Sequence, residues 1–225
     1  MVGQLRLEKG WRIPLRQESL YGMPVLCARV DAQGRWGEKR LERAGRRLRG
    51  AGSLRVLVPG DFSRWDVLER QGLMAVEPAR FLHAQMLPIA LRALERADLT
   101  PERAAVALCA RRADGEMARA ALALSRCVRH LVIDAPVGGE GLAAWLRREY
   151  GVAVLPPREQ VQLAVYLQRQ ENMREERVEL FGLHPRMQGV RICAPALEQA
   201  HREDLGVVST LWEGGFLSES ALKIT

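Results

Sequence analysis

At 225 residues, 48% hydrophobic and 27% charged, the chain has enough apolar side chains to bury a core and too many to stay disordered. Its formal net charge of +7 predicts weak attraction to polyanions, but lysine occurs only at Lys9, Lys39 and Lys223, an arginine bias that a GC-rich coding sequence produces without any anionic partner. No apolar run approaches the ~18 residues of a membrane span, and residues 1–15 lack the continuous apolar stretch of a signal peptide, so a cytoplasmic chain with no membrane partner is expected.

Gln4, Leu5, Arg6, Leu7 and Glu8 alternate in polarity, Lys9 and Gly10 punctuate, and Trp11 to Leu15 alternate again. That pattern predicts a hairpin or edge strand over residues 1–23. From Val25 the pattern changes to repeated strand–helix units. Val25 to Val30 form a compact apolar strand. A helix over 36–49 follows, with Gly37, Leu41, Ala44 and Leu48 on one face at 3.6 spacing. Residues 54–58 are the next strand. Asp61 or Ser63 can cap a short helix through Arg70, and 74–76 is a short strand. A long helix is predicted from Pro78 to about Ala97, kinked at Pro88.

The clearest stretch comes next. Strands are predicted at 104–108, 130–133 and 152–155, with helices at 113–128 and 140–150, the second stopped by Gly151. Past Pro156 the pattern changes. Residues 161–167 suit either a strand or a helix, 169–177 form a strongly charged linker, 177–181 and 190–193 look like strands, and 197–212 is at least partly helical.

Short, wholly apolar strands alternating with helices imply right-handed crossovers and a sheet covered on both faces. The expected fold is therefore α/β: a Rossmann-like three-layer sandwich with a mostly parallel sheet over 24–157, plus a β-rich C-terminal appendage over 158–225. This is likeness to an architecture only, and architecture does not fix function.

In such a sheet, ligands bind outside the carboxyl ends of the strands. That rule selects the loops 31–34, 59–63, 110–115, 134–140 and 156–158. Arg111 and Arg112 put two guanidinium groups beside a helix start, a setting that suits phosphate or carboxylate, with Asp114 as cap. A solvated loop with ordinary ion pairs is the competing reading. Asp134 followed by Gly138 and Gly139 sets a carboxylate at a strand end, with glycines where a ligand can approach backbone. A plain strand–helix turn has the same composition.

Several chemistries lack their signatures. The chain contains no G-x-G-x-x-G, no G-x-x-x-x-G-K-[ST] and no G-x-S-x-G. His83, His130, His184 and His201 are scattered, and Cys27, Cys109, Cys127 and Cys193 show no C-x-x-C spacing. No cofactor or metal is expected. His83, inside the long helix, reads as a partly buried structural histidine, and should it face the cleft it is the best general acid/base candidate. The basic helix over 35–49 carries Arg35, Lys39, Arg40, Arg43, Arg46, Arg47 and Arg49 against only Glu38 and Glu42.

The sequence identifies no specific function; these observations favour a Rossmann-like binding or regulatory protein of unknown ligand, without dinucleotide or P-loop chemistry, an anionic small molecule being one partner its loops suit. Arg111, Arg112, Asp114, Asp134, Gly138 and Gly139 are its candidate site. One alternative is a nucleic-acid or protein interaction module using the basic helix. Another is an enzyme with an unfamiliar site around Asp134, Asp61 and His83.

Overall fold

The computed structural model describes residues 1–9 and 15–225. The expected second run of alternation, from Trp11, falls almost wholly on residues outside that description. In chain order, the first elements are β1 (Gly3–Leu7), β2 (Leu15–Leu20), β3 (Met23–Val30), α1 (Gly37–Gly50), β4 (Arg55–Leu57), α2 (Trp65–Glu69) and β5 (Met74–Ala75). Then come α3 (Ala79–Ala84), α4 (Met86–Arg96), β6 (Ala105–Cys109), α5 (Gly115–Ser125), β7 (His130–Asp134), α6 (Gly139–Tyr150) and β8 (Val154–Leu155). The last are β9 (Leu163–Tyr166), β10 (Arg177–Glu179), β11 (Ile192–Cys193), α7 (Leu205–Glu213) and β12 (Lys223–Ile224).

The chain is mixed α/β, with mostly parallel sheets and connecting helices, as its periodicity predicts. It divides into two compact units, Met1–Glu77 with Ala194–Ala221, and Pro78–Cys193 with Leu222–Thr225. The strands of 24–157 therefore belong to two sheets instead of one. Each half repeats the same strand–helix pattern, and local periodicity says nothing about which strands are partners.

The first unit holds a sheet of order β2-β3-β1-β4-β5, in which only β2 runs antiparallel. The N-terminal strand is not an edge. β1 pairs with β3 on one side and β4 on the other, with Gln4 opposite both Cys27 and Leu57. The chain leaves β1 toward β3 and then crosses back to β4, so the strand order reverses between β1 and β4. Alternation along the strands sends Leu5, Ala28, Val30 and Val56 to one face. There they meet Leu41, Ala44 and Leu48 of α1 and Val67 and Leu68 of α2. Each such buried valine or leucine side chain contributes about 1.5–3 kcal/mol of transfer free energy. The other face carries Gln4, Cys27 and Leu57. At α7, a Cβ placed on Gly206 would stand 3.4 Å from Leu57 Cδ2, so the helix start lies close against that face. Asp204 caps the helix, accepting from the N–H groups of Gly206 and Val207.

The second unit holds five parallel strands in the order β10-β9-β6-β7-β8. The strands expected in the last third are present, but β9 and β10 are built into this sheet. Their order reverses between β6 and β9. α5 and α6 pack near β7 on the crossovers that join β6, β7 and β8. On one face Ala107, Cys109, Val132, Ala164 and Tyr166 form a buried cluster, packed against Leu155, Val161, Met173 and Phe181. That cover is strand end and irregular chain, not helix. β11 and β12 make a separate two-stranded antiparallel ribbon.

The long helix breaks earlier than its proline. α3 stops at Ala84 and α4 starts at Met86, leaving Pro88 in the first turn of α4. Pro88 has no N–H to offer the Ala84 carbonyl, so the interruption falls one turn upstream. Likewise α2 starts behind Arg64, and neither Asp61 nor Ser63 caps it.

Candidate functional site

The carboxyl ends of β6, β7 and β9 enclose a crevice of about 930 Å³, lined by Arg111, Asp134, Pro136, Arg169, Gln170, Glu171 and Asn172. It lies where the strand order of the second sheet reverses, the place at which open parallel sheets hold ligands. Register makes it so. Cys109 pairs with Asp134 on one side and with Tyr166 on the other, which brings the three following loops together.

Gln170 braces the floor. Its Nε2 donates to the Ala110 carbonyl at 2.7 Å and approaches the Asp134 carbonyl at 3.4 Å. Arg111 is exposed, and its Nε donates to the Arg169 carbonyl at 2.9 Å, which turns the guanidinium along the segment that follows β9. Asp134 is half-buried at the end of β7. Two arginines and two carboxylates thus share one open volume, enough for a metabolite-sized molecule that carries both a negative group and hydrogen-bond donors.

The other sequence-derived candidates have local duties. Asp114 caps α5 by accepting from the Met117 N–H at 2.9 Å. Arg112 makes a parallel bridge with Val137, joining the loops after β6 and β7 through backbone. Gly138 sits at the start of α6 with φ of 80°, a left-handed conformation that glycine adopts freely, and a Cβ there would lie 3.5 Å from the Ala113 Cβ. Gly139 is buried, and a Cβ on it would stand 3.2 Å from the Ala135 Cβ. Of the six candidates, Arg111 and Asp134 line the crevice.

Arg169, Gln170, Glu171 and Asn172 escaped the sequence reading because residues 161–167 are ambiguous between strand and helix. Without β9 as a strand, the charged stretch behind it has no reason to count as a strand-end loop.

Behind the crevice, on the buried face, lie Cys109 and Tyr166. Burial, reinforced by the nearby Asp134 charge, pushes the Cys109 thiol up to about 12. Burial also raises Tyr166 to about 12, although its oxygen accepts the Arg174 backbone N–H at 2.9 Å. Both groups stay protonated at neutral pH. His83 has a filled environment as well. Its Nε2 lies 2.9 Å from the Leu167 carbonyl, and its Nδ1 lies 3.3 Å from Glu116. A carbonyl only accepts, so Nε2 carries a proton, and the ring serves as a brace between β9 and α5. Asp61 is exposed and belongs to the first unit, whereas Asp134 and His83 belong to the second.

On α1 the charges sort by side. Glu38 and Glu42 face Arg70, at 2.9 and 3.8 Å, and Glu38 also meets Arg64 at 3.6 Å. Arg40 pairs with Asp31 at 3.1 Å. Lys39, Arg43 and Arg46 are exposed, and the Lys39 ammonium stands 4.9 Å from the ring centre of the exposed Trp36.

Among the described residues, no helix is long and apolar enough to cross a membrane. No family model and no curated protein matches the sequence. Among solved structures the chain is similar to L-tryptophan dehydrogenase from Nostoc punctiforme, at 14% identity and a TM-score of 0.28, covering 64% of this chain and 44% of that one. The chain thus spans less than half of that dehydrogenase, and a likeness this distant assigns it no activity.

Proposed function

We propose that this chain is a binding or regulatory protein for an anionic small molecule, held in the crevice after β6, β7 and β9. The observation that supports this is the convergence of Arg111 and Asp134 on one open volume at the reversal of a parallel sheet. In this reading the Arg111 guanidinium takes a phosphate or carboxylate, with Arg169 as the second cationic residue lining the crevice. Asp134 and Glu171 accept from hydroxyl or amine groups on the same ligand, and Gln170 holds the loops in register.

The test is thermal-shift screening with phosphorylated sugars, nucleotides and carboxylates, followed by calorimetry on any hit. Binding that drops on Arg111→Ala and changes its ligand preference on Asp134→Asn supports the reading. A hit unaffected by both variants, or no hit at millimolar concentration, overturns it.

A second reading rests on the sorting of charges on α1. With Glu38 and Glu42 turned toward Arg64 and Arg70, which flank α2, Lys39, Arg43 and Arg46 are exposed on α1, with Lys39 over the Trp36 ring. A helix of 14 residues is about 21 Å long, enough to follow a few phosphates of a nucleic acid. Binding to single- or double-stranded DNA or RNA that weakens steeply with salt, and weakens further on Arg43→Glu, supports it. No binding at low salt removes it, because counterion release favours association most strongly there.

A further inference from the structure

The first unit has its own crevice at its own reversal of strand order. It is a space of about 300 Å³ lined by Gln4, Leu5 and Arg6 of β1, by Leu57, Val58, Pro59 and Gly60 at the end of β4, and by Ala200, His201, Asp204 and Val207. Most of its polar lining is already committed within the fold. Arg6 lies 3.4 Å from Glu18. Asp204 caps α7. The Nδ1 of His201 is held 2.8 Å from the Tyr21 hydroxyl.

Gln4 is different. It sits on the middle strand of the sheet with 6% of its surface exposed, and its Oε1 is enclosed without a hydrogen-bond partner. Leaving a buried amide oxygen unpaired is costly, and native chains seldom do it without a reason. Gln4 joins that missing partner to a place in the crevice lining, which makes it a lining group with hydrogen-bonding capacity to spare.

We infer that this crevice binds a small, uncharged, planar molecule with an N–H donor beside a carbonyl or ring-nitrogen acceptor, the chemistry of a nucleobase or nucleoside. A glutamine amide presents an acceptor and a donor side by side, and pairs through two parallel hydrogen bonds with such an edge. The terminal torsion of glutamine is soft and nearly two-fold, so either amide atom can turn toward the ligand. Size points the same way. About 300 Å³ lies at the lower limit of ligand pockets, which admits a base or nucleoside and is too small for a dinucleotide. Charge agrees too: Arg6 is paired with Glu18 and Asp204 with the α7 N–H groups, so the crevice does not single out an anion. Leu57, Ala200 and Val207 supply apolar wall for a flat ring. At Gly60 a Cβ would meet nothing within 4 Å, so this rim of the crevice is open.

The test uses the full chain with adenine, hypoxanthine, uracil and their nucleosides as probes, and inorganic phosphate as the anionic control. Binding is read by calorimetry and by the Gln4 side-chain amide resonances. The expected result is that at least one base or nucleoside binds and shifts the Gln4 amide signals. Gln4→Leu should weaken it by about tenfold or more while leaving the ligand-free Tm unchanged or higher, since an unpaired polar atom is removed. Arg111→Ala should leave it intact, which separates this site from the crevice of the second unit. No binding by any base or nucleoside at millimolar concentration overturns the inference. So does binding that leaves the Gln4 signals unmoved, or that survives Gln4→Leu. The resonance measurement on the unmodified chain decides the matter even where the leucine variant fails to fold.

Discussion

The Gln170 side chain donates to the carbonyl of Ala110 at 2.7 Å, tying the chain behind β9 to the end of β6. That amide, together with the Arg111 donation to the Arg169 carbonyl, makes one wall of the crevice from two loops that are far apart in sequence. Gln170→Ala removes the donor and leaves the Ala110 carbonyl short of a partner. We expect a loss of about 1 kcal/mol in unfolding free energy, measured by urea denaturation. Any anion that depends on Arg111 should bind more weakly to the same variant. Unchanged stability together with unchanged binding would show that Gln170 braces nothing.

Asp114 separates a helix cap from a ligand contact. Its carboxylate accepts from the Met117 N–H, so Asp114→Ala should cost about 1 kcal/mol, and Asp114→Ser, which keeps a capping oxygen, should restore most of it. Denaturation of the three proteins side by side checks this. If the serine variant is as unstable as the alanine one, capping is not what Asp114 contributes.

Gly138 answers a similar question about backbone. With φ of 80°, it occupies a region that costs an L-residue about 1–2 kcal/mol. Gly138→Ala should destabilise by that amount. Its Cβ would lie 3.5 Å from the Ala113 Cβ, an ordinary contact, so the cost is conformational and not steric. A fall in Tm with no change in Arg111-dependent binding is the expected pair of results.

Alkaline pH probes the buried face. The Cys109 thiol is pushed from an ordinary value of 9.0 up to about 12 by burial, with the Asp134 charge adding to it. As pH rises past 9 the unfolded chain loses this proton first, so the folded state holds more protons and loses relative stability. Each such group steepens the decline by about 1.4 kcal/mol per pH unit until the folded thiol itself ionises. Stability should therefore fall between about pH 9 and pH 12, and the fall should be shallower in Cys109→Ala. Denaturation curves across that window decide it. Native Cys109 should also resist thiol reagents at pH 8, since the reactive thiolate is scarce and the side chain is inaccessible.

What the amino-acid order discloses here follows the range of the interactions involved. The face of α1 with Leu41, Ala44 and Leu48 is buried as its 3.6 spacing requires, and Asp114 caps α5, because both depend on neighbours within a turn. Strand partners are another matter. Gln4 and Arg6 make β1 look half-exposed, yet it is the middle strand, since burial there depends on β3, β4 and the distant α7. The division of the strands into two sheets has the same origin. For the site, Arg111 and Asp134 were legible as residues that follow apolar strands. The wall from Arg169 to Asn172 was not, because β9 is short and Gln162, Leu163 and Leu167, in and beside it, suit a helix equally well.

The first unit draws its middle strand from residues 3–7 and its last helix from residues 205–213, with the whole five-stranded sheet of the second unit made in between. On a ribosome, β1 is made before either of its partner strands, and the Gln4 face waits through most of the following residues before α7 can reach it. The second unit needs no such delay, having almost all of its sheet in one unbroken stretch. Vectorial synthesis therefore sets an order of assembly unlike the order of the sequence: the five-stranded sheet of the second unit is complete before α7 can close over the first, whose N-terminal strand lacks that cover until then.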